Sequence, residues 1–133
     1  MNITATIYNS GLQNNITVQT DGKQKTIAIP AKALGNGSSV NGGELLFLAL
    51  ATCTCNDLYR EASKRNIELD SVFVTVTGKF GQEGEPASHI SYTVVVHSPH
   101  NKEEIDALIS YVDNIAEIHN TVRKGLPVTL SNS

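Results

Sequence analysis

Residues 45–51, Leu-Leu-Phe-Leu-Ala-Leu-Ala, open a helix that has no polar side. They lie within "ELLFLALATCTCNDLYREASKRN", residues 44–66, which begins wholly apolar and ends charged. A surface helix buries one stripe, whereas a helix that is apolar all round must be covered on every side. One small sheet covers one side. The simplest second cover is another copy of the chain. A bilayer is not the cover, because a spanning helix needs about 20 apolar residues and this run has seven.

The ends of this helix are marked. Asn41 is placed to cap it, and Glu44, three residues on, completes a capping box. Lys64-Arg65-Asn66 closes it with cations at the negative end of the helix dipole. Before it, "ITATI" (3–7), "ITVQT" (16–20) and "TIAIP" (26–30) read as short strands, with Asp21-Gly22 a hairpin turn between two of them. "AKALGNGSSVNGG" (31–43) is a loop rich in Gly, Ser and Asn. After the helix, "VFVTVTGKF" (72–80) puts Val72, Val74, Val76 and Phe80 on one face, and "ISYTVVVH" (90–97) does the same with Ile90, Tyr92, Val94 and Val96. A second helix starts at Asn101 with Glu104 in the capping-box position. Its apolar stripe runs Ile105, Leu108, Ile109, Val112, Ile115, Ala116, with His119 on the same stripe. "LPVTL" (126–130) reads as a final edge strand. Strands, a long helix, a hairpin and a second helix make the chain α+β.

With 133 residues and no internal repeat or linker, residues 1–133 form a single domain. The chain is 40% hydrophobic and 17% charged, which suits a folded protein rather than a disordered tail. A net charge of −3 and no Lys/Arg run longer than two exclude a basic nucleic-acid footprint. "MNITATIYNSG" has neither a basic n-region nor a long apolar core, so no secretory signal is read. Two cysteines without an export signal point to the reducing cytoplasm and free thiols.

Cys53 and Cys55 are two residues apart on the helix and point about 200° away from each other. They cannot join in an unstrained disulfide, nor ligate one tetrahedral ion from opposite faces, so no metal or other cofactor is read. Cys55 shares its face with Leu48, Ala51, Leu58, Tyr59 and Ala62. Cys53 has Ala49 and Leu50 on one side and Asn56, Asp57 and Arg60 on the other. A thiol beside polar groups and an arginine is the more reactive, and one in an apolar stripe is inert. If either thiol is chemistry, it is Cys53; simple packing is the other reading for both.

"SSVNGGELLFLALATCT" resembles the central-helix motif Asn/Ser-Pro-x-Glu-Leu-Leu-x-Ala-x-x-x-x-Cys of the OsmC/Ohr family, the osmotically induced and organic-hydroperoxide-resistance proteins. "IAEIHNTV" resembles that family's second-helix motif Cys-Pro-Val-His-x-Thr-Leu. The resemblance covers essentially the whole chain. It implies antiparallel sheets around a long buried central helix, in an intertwined, swapped homodimer with active sites at the subunit interface. It also implies that Cys53 attacks a peroxide. Glu44 matches a family Glu, for which helix capping is the other role; His119 matches the family His, with a core histidine as the other reading. Three features depart from the pattern. The resolving cysteine is replaced by Ala116, Gly43 stands where the hydroperoxide-resistance branch has a Glu, and no Arg precedes Arg60. Arg60 or a lysine is then the cation available to Cys53.

Two functions follow. One is a one-cysteine, thiol-dependent reductase of organic hydroperoxides, with an external thiol as reductant. The other is a non-catalytic binding module that holds a small hydrophobic ligand at the dimer interface. Neither involves nucleic acid or membrane.

Overall fold

The computed structural model describes residues 1–131. The chain divides into two units, residues 1–45 and 46–131. In the first, β1 (Ile3–Ser10), β2 (Gln13–Thr20) and β3 (Lys23–Ile27) form an antiparallel sheet in the order β1-β2-β3. Ile7, Ile16 and Ile27 stand side by side across it, next to Ala5 and Val18, so one face is apolar. The expected hairpin at Asp21-Gly22 is present. Both residues have positive φ, 48° and 83°, as the tight type I′ connection requires.

β1 and β2 run further than their apolar cores and meet at Ser10 and Gln13. Asparagines carry this extension: Asn9 Nδ2 donates to Asn14 Oδ1 (3.1 Å), Asn14 Nδ2 to the Ile29 carbonyl, and the Gly37 N–H to Asn9 Oδ1. β3 ends earlier than expected, at Ile27. None of residues 1–45 is buried, and Ile3 and Ile7 are 63% and 59% exposed.

The central helix, α1, spans Gly42–Lys64. The capping box forms: the Glu44 N–H donates to Asn41 Oδ1 (2.8 Å) and the Asn41 N–H to Glu44 Oε1 (2.9 Å). At the other end Asn66 takes the left-handed conformation, φ 54°, and the Ile67 N–H reaches back to the Ala62 carbonyl at 2.9 Å. That is how many helices stop.

In the second unit β4 (Ser71–Lys79) and β5 (Ser88–His97) form an antiparallel pair. Val72, Val74 and Val76 alternate with exposed neighbours, as do Ile90, Tyr92, Val94 and Val96. The register shifts between Thr77 and Lys79, where His89 has φ 55°. Beyond that bulge the strand ends, and Phe80 stacks on Phe47 of α1 with ring centres 5.9 Å apart. The core is built by Leu58 and Ala62 of α1 against Leu108 and Val112 of α2 (Lys102–Ile115). Asn101 caps α2, its Oδ1 accepting from the Glu104 N–H at 2.8 Å.

The structure also differs from expectation in two places near the C-terminal end. The second helix is interrupted: Ala116, with ψ 109°, leaves the helical region, and α3 (Glu117–Lys124) starts anew. Asn120 Nδ2 braces the break by donating to the Asn114 carbonyl. Residues 126–130 form no strand, because no described strand pairs with them. Val128 and Leu130 are 99% and 96% exposed. No described helix is long and apolar enough to cross a membrane.

Candidate functional site

The break at Ala116 gives the second unit a new helix N-terminus, and Cys53 faces it. The backbone N–H of Ile118, in the first turn of α3, lies near enough to the Cys53 sulfur to favour its thiolate. Helix N-termini favour thiolates. Against this stand two carboxylates. Cys53 Sγ is 3.7 Å from Asp57 Oδ2, one helical turn along α1, with the thiol donating. Glu117, from the first turn of α3, is close as well: the sulfur and one oxygen from each carboxylate all fall within 4.8 Å of one another. Burial pushes the Cys53 thiol up, and the charges of Asp57 and Glu117 push it further, overcoming the Ile118 N–H. Cys53 is therefore held as a thiol.

Arg60 does not act on the sulfur. Its Nη1 donates to Asp57 Oδ1 at 2.8 Å and its Nε to Glu61 Oε2 at 3.0 Å. Glu61, only 3% exposed, also binds Lys64 and Arg65, each at 2.9 Å. Lys64, Arg65 and then Arg60 draw its carboxyl down to about 2. The positive charge expected for Cys53 is thus consumed by a buried carboxylate cluster on the same helix.

His119 is buried, 4% exposed, and turns to Thr54 rather than to the sulfur, with Nε2 3.0 Å from Thr54 Oγ1. Its ring meets Tyr92 edge-on at 4.8 Å, and its Nδ1 has no partner among the described residues. Burial, then the charge of Arg123, lower its pKa. Tyr92 donates to Asp113, which Arg123 Nη2 also holds at 2.7 Å. Glu44 is engaged in the capping box. Cys55 lines a shallow groove with Leu48, Ala51, Val72 and Phe73, joined by the polar Thr52 and Asn56.

Among the four residues singled out from the sequence, Cys53 gains partners that sequence reasoning did not assign. Asp57 was legible by its spacing of four residues. Glu117 and Ile118 were not, because they arrive only through the break at Ala116. Cys53, Asp57 and Glu117 could together offer one sulfur and two oxygens to a cation, but Arg60 already holds the other oxygen of Asp57.

A sequence model of the OsmC-like protein family matches residues 35–131. The chain belongs to the OsmC-like family. Among solved structures this OsmC-like chain is similar to an OsmC-like protein from Mycoplasma pneumoniae, at 23% identity and a TM-score of 0.63, covering 92% of this chain and 86% of that one. It is also similar to an organic hydroperoxide resistance protein OsmC from Legionella pneumophila (18% identity, TM-score 0.58, 92% and 90% covered). A third similar structure is the organic hydroperoxide resistance protein OhrB of Bacillus subtilis (22%, 0.54, 90% and 90%). At these identities the likeness establishes the α+β OsmC-like fold. No curated protein sequence matches.

The charges around the sulfur make a direct prediction. Asp57→Asn removes one opposing charge, so native-state alkylation of Cys53 at neutral pH should accelerate severalfold. Mass spectrometry of partly alkylated wild type and variant measures it; an unchanged rate would remove Asp57 from the control of this thiol.

Proposed function

We propose that this OsmC-like chain is a one-cysteine hydroperoxide reductase that works as a homodimer, with Cys53 as its reacting group. The observation that carries the reading is Cys53 itself, half-buried on α1 beside the first turn of α3, where the Ile118 N–H favours its thiolate. Membership of the family supports it, as do the hydroperoxide-resistance names of the Legionella and Bacillus relatives.

Cys53 first loses its proton to solvent. The thiolate attacks the outer oxygen of a hydroperoxide ROOH, forming an S–O bond as the O–O bond breaks. The leaving alkoxide takes a proton and departs as ROH, and Cys53 becomes a sulfenic acid. With Ala116 in the resolving position, an external thiol then displaces water to give a mixed disulfide. A second external thiol releases the disulfide and restores Cys53. The Ile118 N–H stabilises the sulfur anion, and Asp57 and Glu117 oppose it. The reaction is accordingly slow at neutral pH. His119 and Glu44 act structurally, by holding Thr54 and capping α1.

The test is to add an organic hydroperoxide to reduced protein and trap sulfenic acid with a dimedone-type reagent. Trapping at Cys53, with a rate that climbs about tenfold per pH unit through pH 8, is expected because the thiol titrates above its ordinary value of about 8.5. If no sulfenic acid forms and no added thiol supports turnover, the alternative takes its place: a binding module for a small hydrophobic ligand at the dimer interface. The raised thiol and Ala116 favour that second reading.

A further inference from the structure

Two helices shape the surroundings of Cys53. Its own helix, α1, carries it, and the first turn of α3 brings Glu117 and the Ile118 N–H near its sulfur. What holds that turn in place therefore decides what the sulfur meets. The rest of α3 is tied to α2: Arg123 donates to the Asp113 carbonyl (3.0 Å) and carboxylate (2.7 Å), and Asn120 Nδ2 to the Asn114 carbonyl (3.0 Å). These bonds do not set the separation of α3 from α1. Among the described residues, one side-chain hydrogen bond joins those two helices, between Thr54 Oγ1 and His119 Nε2 at 3.0 Å.

The place of this bond gives it its reach. Thr54 follows Cys53 directly in α1, and His119 follows Ile118 directly in α3. The bonded pair thus stands one residue along from the sulfur and the amide. Both partners are buried, Thr54 at 1% and His119 at 4% exposure, so water is not at hand to replace either. Separating them would leave a hydroxyl and an imidazole unpaired in a dry place, which resists separation. The ring is also fixed from the strand side, where Tyr92 of β5 meets it edge-on while donating to Asp113. Burial and then the charge of Arg123 keep His119 neutral at neutral pH, with Asp113 and Asp57 pulling the other way. A neutral ring accepts at one nitrogen and so can take the Thr54 proton.

We propose that Thr54 and His119 form a clamp that seats the first turn of α3 on Cys53, which makes them positioning residues for the chemistry of this thiol. The inference rests on the reading of Cys53 as the reacting group, but its test reads the thiol directly and needs no peroxide.

The experiment alkylates the folded full chain as a function of pH and follows Cys53 by mass spectrometry, with Cys55 on the same helix as internal control. In Thr54→Val the first turn of α3 should lift. That removes burial and the Glu117 charge, which raise the thiol, together with the Ile118 N–H, which lowers it. Burial is the largest of these, so the midpoint should fall toward the ordinary value of about 8.5. The rate at neutral pH should rise severalfold. Cys55 should keep its wild-type rate, and Thr54→Ser, which keeps the hydroxyl, should keep the wild-type profile. Glu117→Gln should lower the midpoint while the clamp is intact and leave it unmoved in the Thr54→Val background, because the two changes act on one contact. In wild type the Ile118 amide, in the first turn, has no partner within its own helix. It should nevertheless exchange slowly with deuterium, because α1 covers it. An unchanged profile in folded Thr54→Val, a shifted profile in Thr54→Ser, equal acceleration of Cys55, or a Glu117→Gln effect of full size without the clamp would each overturn the proposal. If Thr54→Val does not fold, free exchange of the wild-type Ile118 amide overturns it alone. A clamp that meets these tests while peroxide leaves Cys53 unoxidised would stand, and only the reductase reading would go.

Discussion

Leu48→Asp should leave the chain unable to fold, although Leu48 is 59% exposed in the single protomer. On an exposed helix position such a change ordinarily costs no more than about 0.5 kcal/mol. The proposed homodimer changes that figure. Leu45 and Leu48 are both exposed on α1, and the first unit holds no buried residue at all, so apolar surface stands uncovered in the lone chain. If a second protomer covers Leu48, each carboxylate enters a dry interface without a partner, at about 3–5 kcal/mol. Two of them per dimer rival a total stability of about 5–15 kcal/mol. Loss of the cooperative thermal transition, checked by circular dichroism, is the expected result. Wild type should sediment as a dimer, with a melting temperature that rises with concentration. A folded wild-type monomer at micromolar concentration, or a Leu48→Asp chain that melts like wild type, would remove the dimer from the proposal.

The same helix shows what a sequence discloses. Its limits were legible because caps are local: Asn41, Glu44 and Asn66 each act within a few residues. The Asp21-Gly22 turn and the alternation of β4 and β5 were legible for the same reason. The break at Ala116 was not. Val112, Ile115, Ala116 and His119 keep helical spacing straight through it, and periodicity does not register a bend. The family motif has a proline one residue later, which would mark a new helix start. Here that place is Glu117, a good helix former, and the mark is gone. Arg60 illustrates a different limit. It stands two helical turns beyond Cys53, with Asp57 and the buried Glu61 as nearer acceptors, and competition among neighbours decides where a flexible guanidinium goes. The 126–130 segment has a strand's composition, yet pairing requires a neighbour that no local pattern supplies.

Cys53→Ser should abolish hydroperoxide turnover, whereas Cys55→Ser should retain it, because the Cys55 sulfur lies in the apolar groove beside Val72 and Phe73 and takes no step in the reaction. The more demanding experiment restores what this chain lacks. Ala116 is fully buried at the hinge between α2 and α3, one residue before Glu117, whose carboxylate lies within 4.8 Å of the Cys53 sulfur. A disulfide needs Cα atoms about 4.4–6.8 Å apart and converging Cβ atoms, so the hinge is a suitable place to seek one. Adding a sulfur in a packed site costs about 1–3 kcal/mol, which a stable protein tolerates. In Ala116→Cys, the sulfenic acid formed on Cys53 should be captured by the new thiol with loss of water, before excess peroxide carries it to sulfinic acid. Peroxide-treated wild type should therefore inactivate progressively, and the variant should resist inactivation and recover fully with a dithiol. Non-reducing peptide mapping would find the disulfide between Cys53 and the introduced thiol. If the variant folds, oxidises at Cys53 and still forms no such bond, then α3 does not present its first turn to the sulfur during turnover. If Cys53→Ser keeps full activity, the reductase reading itself is wrong.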